Sequence, residues 1–138
     1  MATLTRKFTV RLHDTDAAGI LFFGRQFYLA HDIYEDFLAH IGFPMEKIIA
    51  EESFFVPIVH SESQYHLPMR AGDRGEITLK VVAIGNTSYT LEYQILTSNG
   101  KPSGSSKTVH VSIDRATGKK IALPEKFKAA LLQFQLAP

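Results

Sequence analysis

The segment from residue 5 to residue 41 reads TRKFTVRLHDTDAAGILFFGRQFYLAHDIYEDFLAHI, and the spacing of its apolar residues changes once along its length. In the first part, residues 5–12, apolar and polar side chains alternate, with Phe8, Val10 and Leu12 on one side. This period of two predicts a half-buried β-strand. The remainder follows a different period, so a second kind of element begins within the same segment.

The second element is separated from the strand by HDTDAAG, residues 13–19, a run of small and turn-forming residues. The apolar residues that follow recur at spacings of three and four; they are Phe27, Ala30, Ile33 or Tyr34, Phe37, Leu38 and Ile41. This spacing predicts a helix with one apolar stripe, ended by Gly42. A helix of that length measures roughly 22 Å and can cross four or five strands of a sheet.

Beyond this helix the chain is mostly extended. A short helix is expected over residues 44–51, and an extended segment over 54–67 in which Pro57 marks an edge or a bulge. Three strands at 76–84, 88–97 and 105–113 predict an antiparallel meander, and Phe127, Leu131 and Phe134 predict a C-terminal helix. One strand, one long helix and then four strands predict an α+β fold, with an antiparallel sheet of about five strands wrapped around one long central helix.

The composition is that of an ordinary globular protein, and we expect a single domain over residues 1–138. With 45% hydrophobic and 21% charged residues, wholesale disorder is excluded. The chain has no cysteine, which excludes a disulfide scaffold and cysteine-ligated zinc. Fifteen Lys and Arg stand against 14 Asp and Glu, so there is no basic stripe for nucleic acid. No apolar stretch has the length of a signal peptide or a membrane span, and we expect a cytoplasmic protein.

The turn at residues 13–19 carries the strongest candidate for catalysis, Asp16. This residue follows the end of a strand and precedes a helix whose first backbone amides lack partners within the helix. A carboxylate beside such amides suits acyl chemistry, because the amides can stabilise an oxyanion that forms on a carbonyl group. Asp14 shares the turn and fits the same role with Asp16 as the cap, and spacing alone does not separate the two. For an isolated pair of this kind, a turn or cap role is the commoner one.

No other catalytic or metal-binding motif is present. Asp14 and Asp16 have no further ligand at a recognised spacing, the six histidines form no zinc pair, and His31 with Glu35 fits a solvated helix face. The sequence also lacks the nucleophile elbow of serine hydrolases, the phosphate loop of kinases and the glycine fingerprint of dehydrogenases. We therefore expect neither a metal ion nor a cofactor.

Four phenylalanines supply large apolar surface that we expect near the candidate turn: Phe22, Phe23, Phe54 and Phe55. Core packing accounts for most residues of this type. Aromatic side chains that flank the N terminus of a helix also fit a flat acyl group. We expect at least one of the four to contact a substrate.

The motif D-x-D-x-x-G at residues 14–19, in a chain of this size and element order, resembles the hotdog-fold 4-hydroxybenzoyl-CoA thioesterase family over nearly the whole chain. The resemblance implies a hotdog fold and acyl-CoA thioesterase activity. It also implies that Asp16, the second aspartate of the motif, is the catalytic carboxylate, acting as nucleophile or general base. The oxyanion would be bound by the backbone N–H of Phe23, seven residues later, with Gly24 next to it.

The residues around the motif narrow this resemblance. Residues 14–19, followed by Phe22-Phe23 and by HDIYE at 31–35, are similar to the family members that hydrolyse 1,4-dihydroxy-2-naphthoyl-CoA for cyanobacterial phylloquinone synthesis. An aromatic acyl group is the implied substrate. The alternatives are short-chain or fatty acyl-CoA hydrolysis, or acyl-CoA binding without turnover. A hydratase of this fold carries a histidine five positions after the aspartate, where this chain has Leu21.

The predicted sheet leaves at least one open edge, which natural proteins cover or pair. The apolar character of the segment 54–67 is reduced by four polar residues, namely Ser61, Ser63, Gln64 and His66. One side of this segment should therefore face solvent or another subunit. We expect a homo-oligomer, a dimer or a tetramer, in which a second copy covers the edge.

Overall fold

The long helix packs against a five-stranded antiparallel sheet in the computed structural model, which describes residues 2–138. The strands are β1 (Leu4–Thr9), β2 (Phe54–Phe55), β3 (Ile58–Tyr65), β4 (Arg74–Ile84), β5 (Ser88–Thr97), β6 (Pro102–Val111) and β7 (Ile113–Asp114). The helices are α1 (Arg25–His40), α2 (Met45–Ala50) and α3 (Glu125–Leu136). The predicted α+β class with an antiparallel sheet of five strands is confirmed.

The strands of the large sheet lie in the order β1-β4-β5-β6-β3. The three strands β4, β5 and β6 form the predicted meander. The first strand of the chain joins one side of the meander, and β3 joins the other side. Almost every residue of β3 is exposed, so the sheet ends there in an open edge.

The core lies between the sheet and the helices. Five residues of the predicted stripe of α1 are buried, namely Ala30, Ile33, Tyr34, Phe37 and Leu38, whereas Phe27 and Ile41 at its two ends are only partly buried. These side chains meet the aliphatic inner faces of β4 and β5, and α3 adds Phe127, Leu131 and Phe134. Burying a large apolar side chain stabilises the fold by about 1.5–3 kcal/mol, so this core accounts for the placement of α1.

The first strand is shorter than its alternating pattern predicts. It ends at Thr9, and Leu12, which we expected to face inward with Phe8 and Val10, is 80% exposed. That expectation was wrong because residues 12–14 form a 3-10 turn, in which the carboxylate of Asp14 accepts a hydrogen bond from the Arg11 amide. The turn rotates Leu12 out of the strand register.

The extended segment 54–67 is divided in two at Pro57. Its first part, β2, pairs with β7 in a small separate ribbon, and its second part is β3. The carbonyl of Pro57 accepts the Val111 amide, and the register with β6 shifts between Ile58 and His60, which confirms the expected irregularity. Among residues 2–138, none of the helices is long and apolar enough to cross a membrane.

Candidate active site

The turn between β1 and α1 presents Asp16 on the surface. Its backbone pairs with Ile20 and Gly19 at 3.0 and 2.9 Å, and Gly19 adopts a φ of 77°, which glycine reaches without steric cost. One carboxylate oxygen of Asp16 accepts the Ala18 amide at 2.9 Å. The other oxygen has no hydrogen-bond partner among residues 2–138, so half of this carboxylate is free for a ligand.

Asp14 is engaged on both oxygens. One accepts the Arg11 amide at 2.8 Å, and the other lies 3.6 Å from Nε of Arg25 and 3.5 Å from Nε2 of His13. Only 19% of the Asp14 side chain is exposed. Asp14 therefore ties the turn to the first residue of α1, whereas Asp16 makes a single local contact.

Two consecutive backbone amides are free at the N terminus of α1. The Phe22 amide donates to the Asp14 carbonyl at 2.9 Å. The amides of Phe23 and Gly24 donate to no acceptor in the described part of the chain. They precede a helix of 16 residues, whose N terminus carries a partial positive charge. An anionic oxygen is the ligand that this pair favours.

The orientation of both free amides is held through the carbonyls of the same peptide units. The Phe22 carbonyl accepts the Arg25 amide at 2.8 Å, and the Phe23 carbonyl accepts the Tyr65 hydroxyl at 2.9 Å. A trans peptide unit is planar, so its C=O and N–H groups point in opposite directions. Fixing each carbonyl therefore fixes the N–H that follows it, which preorganises the pair.

The structure brings Phe22 and Phe23 to the same site. Their ring centroids are 4.6 Å apart, and the side chains are 42% and 63% exposed. The Phe22 ring covers Gly24 so closely that a Cβ at that position would lie 2.9 Å from it. These two rings form an apolar surface beside the free amides.

Phe54 and Phe55 lie elsewhere in the protomer. Phe54 is 1% exposed and packs between Phe43 and Phe127 in the core, while Phe55 lies under the guanidinium of Arg115. Phe43 follows the C-terminal end of α1, which is about 24 Å from its N-terminal end. Phe22 and Phe23 therefore do not share a surface with this second pair within one chain, and the enclosed ring of Phe54 has no face left for a ligand.

A buried glutamine, which the sequence analysis did not single out, joins α1 to the sheet. Gln26 is 2% exposed, and its Nε2 donates to the carbonyls of Gln64 and Ser105, both at 3.1 Å. Gly104 makes this approach possible, because a Cβ there would lie 2.6 Å from Oε1 of Gln26. A signal was present, since Gln26 stands one turn before Ala30 on the apolar stripe.

A cleft of about 950 Å³ lies between β1, β4 and the face of α1 that carries Arg25 and Tyr28. Lys7, Arg11 and Arg74 line it, and none of them has a carboxylate within ion-pair distance in residues 2–138. The lining as a whole has more cations than carboxylates, so its net charge suits an anionic ligand; the charged residues are Arg6, Lys7, Arg11, Arg25 and Arg74 against Asp14, Asp32 and Glu76. No group of three or more His, Asp or Glu side chains in the described residues could hold a metal ion.

Comparison with known proteins identifies the class to which this fold and this turn belong. Residues 10–131 match the thioesterase-like superfamily, and the chain belongs to that superfamily. The resemblance to hotdog thioesterases is thereby confirmed.

The relatives carry a more specific name. The chain is 32% identical over 120 residues to 1,4-dihydroxy-2-naphthoyl-CoA hydrolase of Synechococcus elongatus, which covers 86% of this chain and 88% of that protein. It is 35% identical over 130 residues to the protein of the same name from Prochlorococcus marinus, at 89% and 83% coverage. The crystal structure of a 1,4-dihydroxy-2-naphthoyl-CoA thioesterase from Synechocystis superimposes with a TM-score of 0.89 at 26% identity, covering 98% of this chain and 99% of that one.

Proposed function

We propose that this protein hydrolyses 1,4-dihydroxy-2-naphthoyl-CoA to 1,4-dihydroxy-2-naphthoate and CoA, a step of phylloquinone biosynthesis that takes place in the cytoplasm. The observation that carries the proposal is the pair of free amides at Phe23 and Gly24, which follows the half-free carboxylate of Asp16 along one turn. The names of the relatives supply the substrate.

The amides have a defined task in this reaction. The thioester carbonyl becomes an oxyanion when its carbon is attacked, and the N–H groups of Phe23 and Gly24 would hold that oxygen. Asp16 either attacks the carbonyl carbon or removes a proton from the attacking water. If Asp16 is the base, water adds to the acyl carbon, the C–S bond breaks, and the departing CoA thiolate takes up a proton as the acid forms. If Asp16 is the nucleophile, cleavage of the C–S bond releases CoA and leaves a mixed anhydride between Asp16 and the acyl group, which water then hydrolyses to the acid and the free carboxylate. The free oxygen of Asp16 serves either role, whereas both oxygens of Asp14 are engaged.

The surroundings of the amides favour an aromatic acyl-CoA. Phe22 and Phe23 offer exposed rings beside the carbonyl position. On the opposite side, Arg25 follows Gly24 directly and lines the cationic cleft. We assign the CoA phosphates to this cleft, whose free cations Arg11 and Arg74 complement their charge.

We also propose that a second copy of the chain pairs with this one along strand β3. Strand β3 is an open edge with exposed apolar residues, among them Val59 and Tyr65. Unpaired edges of this kind are normally covered, and pairing with the same strand of a second copy covers both at once. Since Tyr65 contacts Phe23, the catalytic turn would then stand beside the subunit interface. Phe55 remains a proposed substrate contact only from that second copy.

A hydrolysis panel tests the function. The rate constant kcat/KM is measured for 1,4-dihydroxy-2-naphthoyl-, benzoyl-, acetyl- and octanoyl-CoA, because specificity is a ratio of these constants. We expect the naphthoyl thioester to exceed octanoyl-CoA at least tenfold. A preference for octanoyl-CoA would assign the protein to fatty acyl-CoA hydrolysis, and binding without turnover of any thioester would make it a non-catalytic acyl-CoA-binding domain.

A further inference from the structure

A second, smaller cavity lies on the other side of α1. It has a volume of about 170 Å³ and is bounded by Phe27, Ala30 and Tyr34 of the helix, by Ser61 of β3, and by Tyr93 and Thr108 of the inner sheet face. Its walls are mostly apolar, and an apolar cavity of about 150 Å³ is known to bind benzene. The cavity therefore accommodates an aromatic ring.

The position of this cavity relates it to the free amides. Phe27 lies one helical turn beyond Phe23, which corresponds to about 6 Å along α1. Successive residues of a helix are rotated by about 100°, so Phe27 and Ala30 face away from Arg25 and Tyr28, which line the cationic cleft. A thioester carbonyl held at Phe23 and Gly24 can thus send CoA along one face of α1 and an acyl ring along the other.

Three side chains joined by hydrogen bonds, Tyr93, Thr108 and His110, begin at the polar side of the cavity. The Tyr93 hydroxyl lies 2.8 Å from Oγ1 of Thr108, which lies 2.8 Å from Nε2 of His110. The Nδ1 atom of His110 faces the Val56 carbonyl at 3.4 Å. Burial lowers the pKa of His110 to about 4, so the ring is neutral near pH 7 and carries one hydrogen.

The direction of these hydrogen bonds follows from the last acceptor in the chain. A carbonyl oxygen can only accept, so the hydrogen of His110 belongs on Nδ1, and Nε2 must accept from Thr108. The hydroxyl hydrogen of Thr108 is then engaged with His110, so the Tyr93 hydroxyl must donate its own hydrogen to Oγ1 of Thr108. The lone pairs of the Tyr93 oxygen remain available, which makes this atom a hydrogen-bond acceptor at the cavity wall.

A donor is present at the same cavity. The hydroxyls of Tyr34 and Tyr89 are 2.7 Å apart, and neither has another hydrogen-bond partner among residues 2–138. Together they carry two hydrogens, but the hydrogen bond between them uses only one. Tyr89 is 1% exposed and does not line the cavity, so a spare hydrogen on it would be buried without an acceptor. Donation from Tyr89 to Tyr34 avoids this and leaves the Tyr34 hydrogen as the spare donor.

We infer that this cavity is the acyl-ring subsite, and that Tyr93 accepts a hydrogen bond there from a hydroxyl group on the aromatic ring of the substrate. A ring hydroxyl both donates and accepts, which matches the acceptor on Tyr93 and the donor on Tyr34. The inference rests on the proposed thioesterase function. It makes Tyr93 a specificity-determining residue that selects hydroxylated over plain aryl thioesters.

The test compares two substrates that differ only in ring hydroxyls, 1,4-dihydroxy-2-naphthoyl-CoA and 2-naphthoyl-CoA, with the wild-type protein and Tyr93→Phe. We expect the wild type to prefer the hydroxylated thioester at least about tenfold in kcat/KM, because a buried polar group left unpaired penalises the plain analogue. Tyr93→Phe should remove most of this preference while changing kcat/KM for 2-naphthoyl-CoA less than about threefold. Thr90→Val, which removes a hydroxyl on the outer face of β5 away from both cavities, is the control and should leave both constants unchanged.

Two results would overturn the inference: a wild-type preference that survives in Tyr93→Phe, or equal losses on both substrates, which would indicate a purely structural role. Ser61→Leu is a second variant in case Tyr93→Phe folds poorly, since Ser61 is exposed on β3 and a larger side chain there fills the cavity without displacing a core residue. It should lower kcat/KM for both naphthoyl thioesters at least tenfold, and unchanged values would also refute the subsite. If the wild type hydrolyses no aromatic thioester at all, the proposed function itself fails.

Discussion

The Tyr65 hydroxyl, near the end of the open edge strand β3, donates a 2.9 Å hydrogen bond to the carbonyl oxygen of Phe23. That carbonyl belongs to the same peptide unit as the Gly24 amide, so Tyr65 sets the direction of a proposed oxyanion donor. The contact joins an edge that we propose pairs with a second copy to the turn that we propose is catalytic. In the proposed dimer, assembly and amide geometry would therefore be coupled through this one side chain.

Replacing Tyr65 with phenylalanine should lower kcat about tenfold and leave KM nearly unchanged. Loss of a whole oxyanion donor costs about 10²–10³-fold in kcat, and losing only the group that orients it should cost less. Steady-state kinetics on the naphthoyl thioester measure both constants. Light scattering on the same sample must show an unchanged mass, so that the effect is separated from loss of assembly.

Thr90→Val is the control for this substitution, because it also removes one hydroxyl, which lies on the outer face of β5 and has no hydrogen-bond partner in residues 2–138. It should behave as wild type. A Tyr65→Phe protein with normal kcat would show that the Gly24 amide is oriented without Tyr65.

Asp16→Asn should reduce kcat at least about 10²-fold, which is the lower end for general acid–base catalysis. The amide keeps the size of the side chain and can still accept the Ala18 hydrogen bond, but it loses basicity and nucleophilicity. The melting temperature should stay close to that of the wild type, because asparagine is an equally good turn residue. Retention of more than about a tenth of the wild-type kcat would falsify the assignment of Asp16.

For Asp14→Asn we expect the reverse of the Asp16→Asn result, a loss of stability with little loss of activity. This substitution removes the charge that faces Arg25 in a site where the carboxylate is only 19% exposed. The melting temperature should fall, and kcat should change less than about tenfold. If Asp14→Asn were the inactive variant and Asp16→Asn the active one, the catalytic carboxylate would be Asp14.

The wild-type protein should have at least twice the 15.4 kDa mass of one chain at micromolar concentration. Val59 is 59% exposed on the edge strand, and a charge on an edge disfavours pairing with another strand. Val59→Lys should therefore shift the mass toward the monomer and lower kcat together with it. Light scattering that finds the wild-type protein as a monomer near 15.4 kDa would contradict the proposed interface.

His110 should make the stability of the protein depend on pH. Burial lowers its pKa to about 4, against an ordinary value of 6.5, so the unfolded chain binds a proton that the folded chain does not. The contribution of neutral His110 to the free energy of unfolding is fully present above pH 6.5 and is lost as the pH falls toward 4. The slope for one such group is at most about 1.4 kcal/mol per pH unit.

Urea unfolding of the wild type and of His110→Gln, at several values between pH 7.5 and pH 4, measures this effect. The neutral glutamine removes the titration, so the difference between the two free energies of unfolding should narrow as the pH falls. A difference that stays constant over this range would show that His110 is protonated equally in both states.

Local patterns predicted most of the architecture. The bounds of α2, β4 and β5 agree with the expectations to within about two residues, and α1 ends just before Gly42, because hydrophobic period and glycine or proline positions act over a few residues. The strand predicted to reach Leu12 failed for a local reason as well, since the Asp14 carboxylate and the Arg11 amide close a turn that interrupts the alternation.

The candidate site was predictable only in part. The motif at residues 14–19 drew attention to both aspartates, and the resemblance favoured Asp16. The sequence held no indication that Phe54 would be enclosed by Phe43 and Phe127, because aromatic residues in a core and at a surface look the same in a linear pattern.

By itself, then, the sequence determined which elements form, in what order, and which turn carries the functional motif, since each of these depends on neighbours along the chain. The tertiary structure decided that β3 is an edge strand of the sheet and that Tyr93, Thr108 and His110 form a chain of hydrogen bonds. It also decided that the Gly24 amide is oriented by Tyr65, a residue of a strand far away in the sequence. The physical reason is the separation of the partners along the chain: Tyr65 and Phe23 are 42 positions apart, and Gln26 and Ser105 are 79 positions apart. Contacts over such distances exist only once the chain has folded.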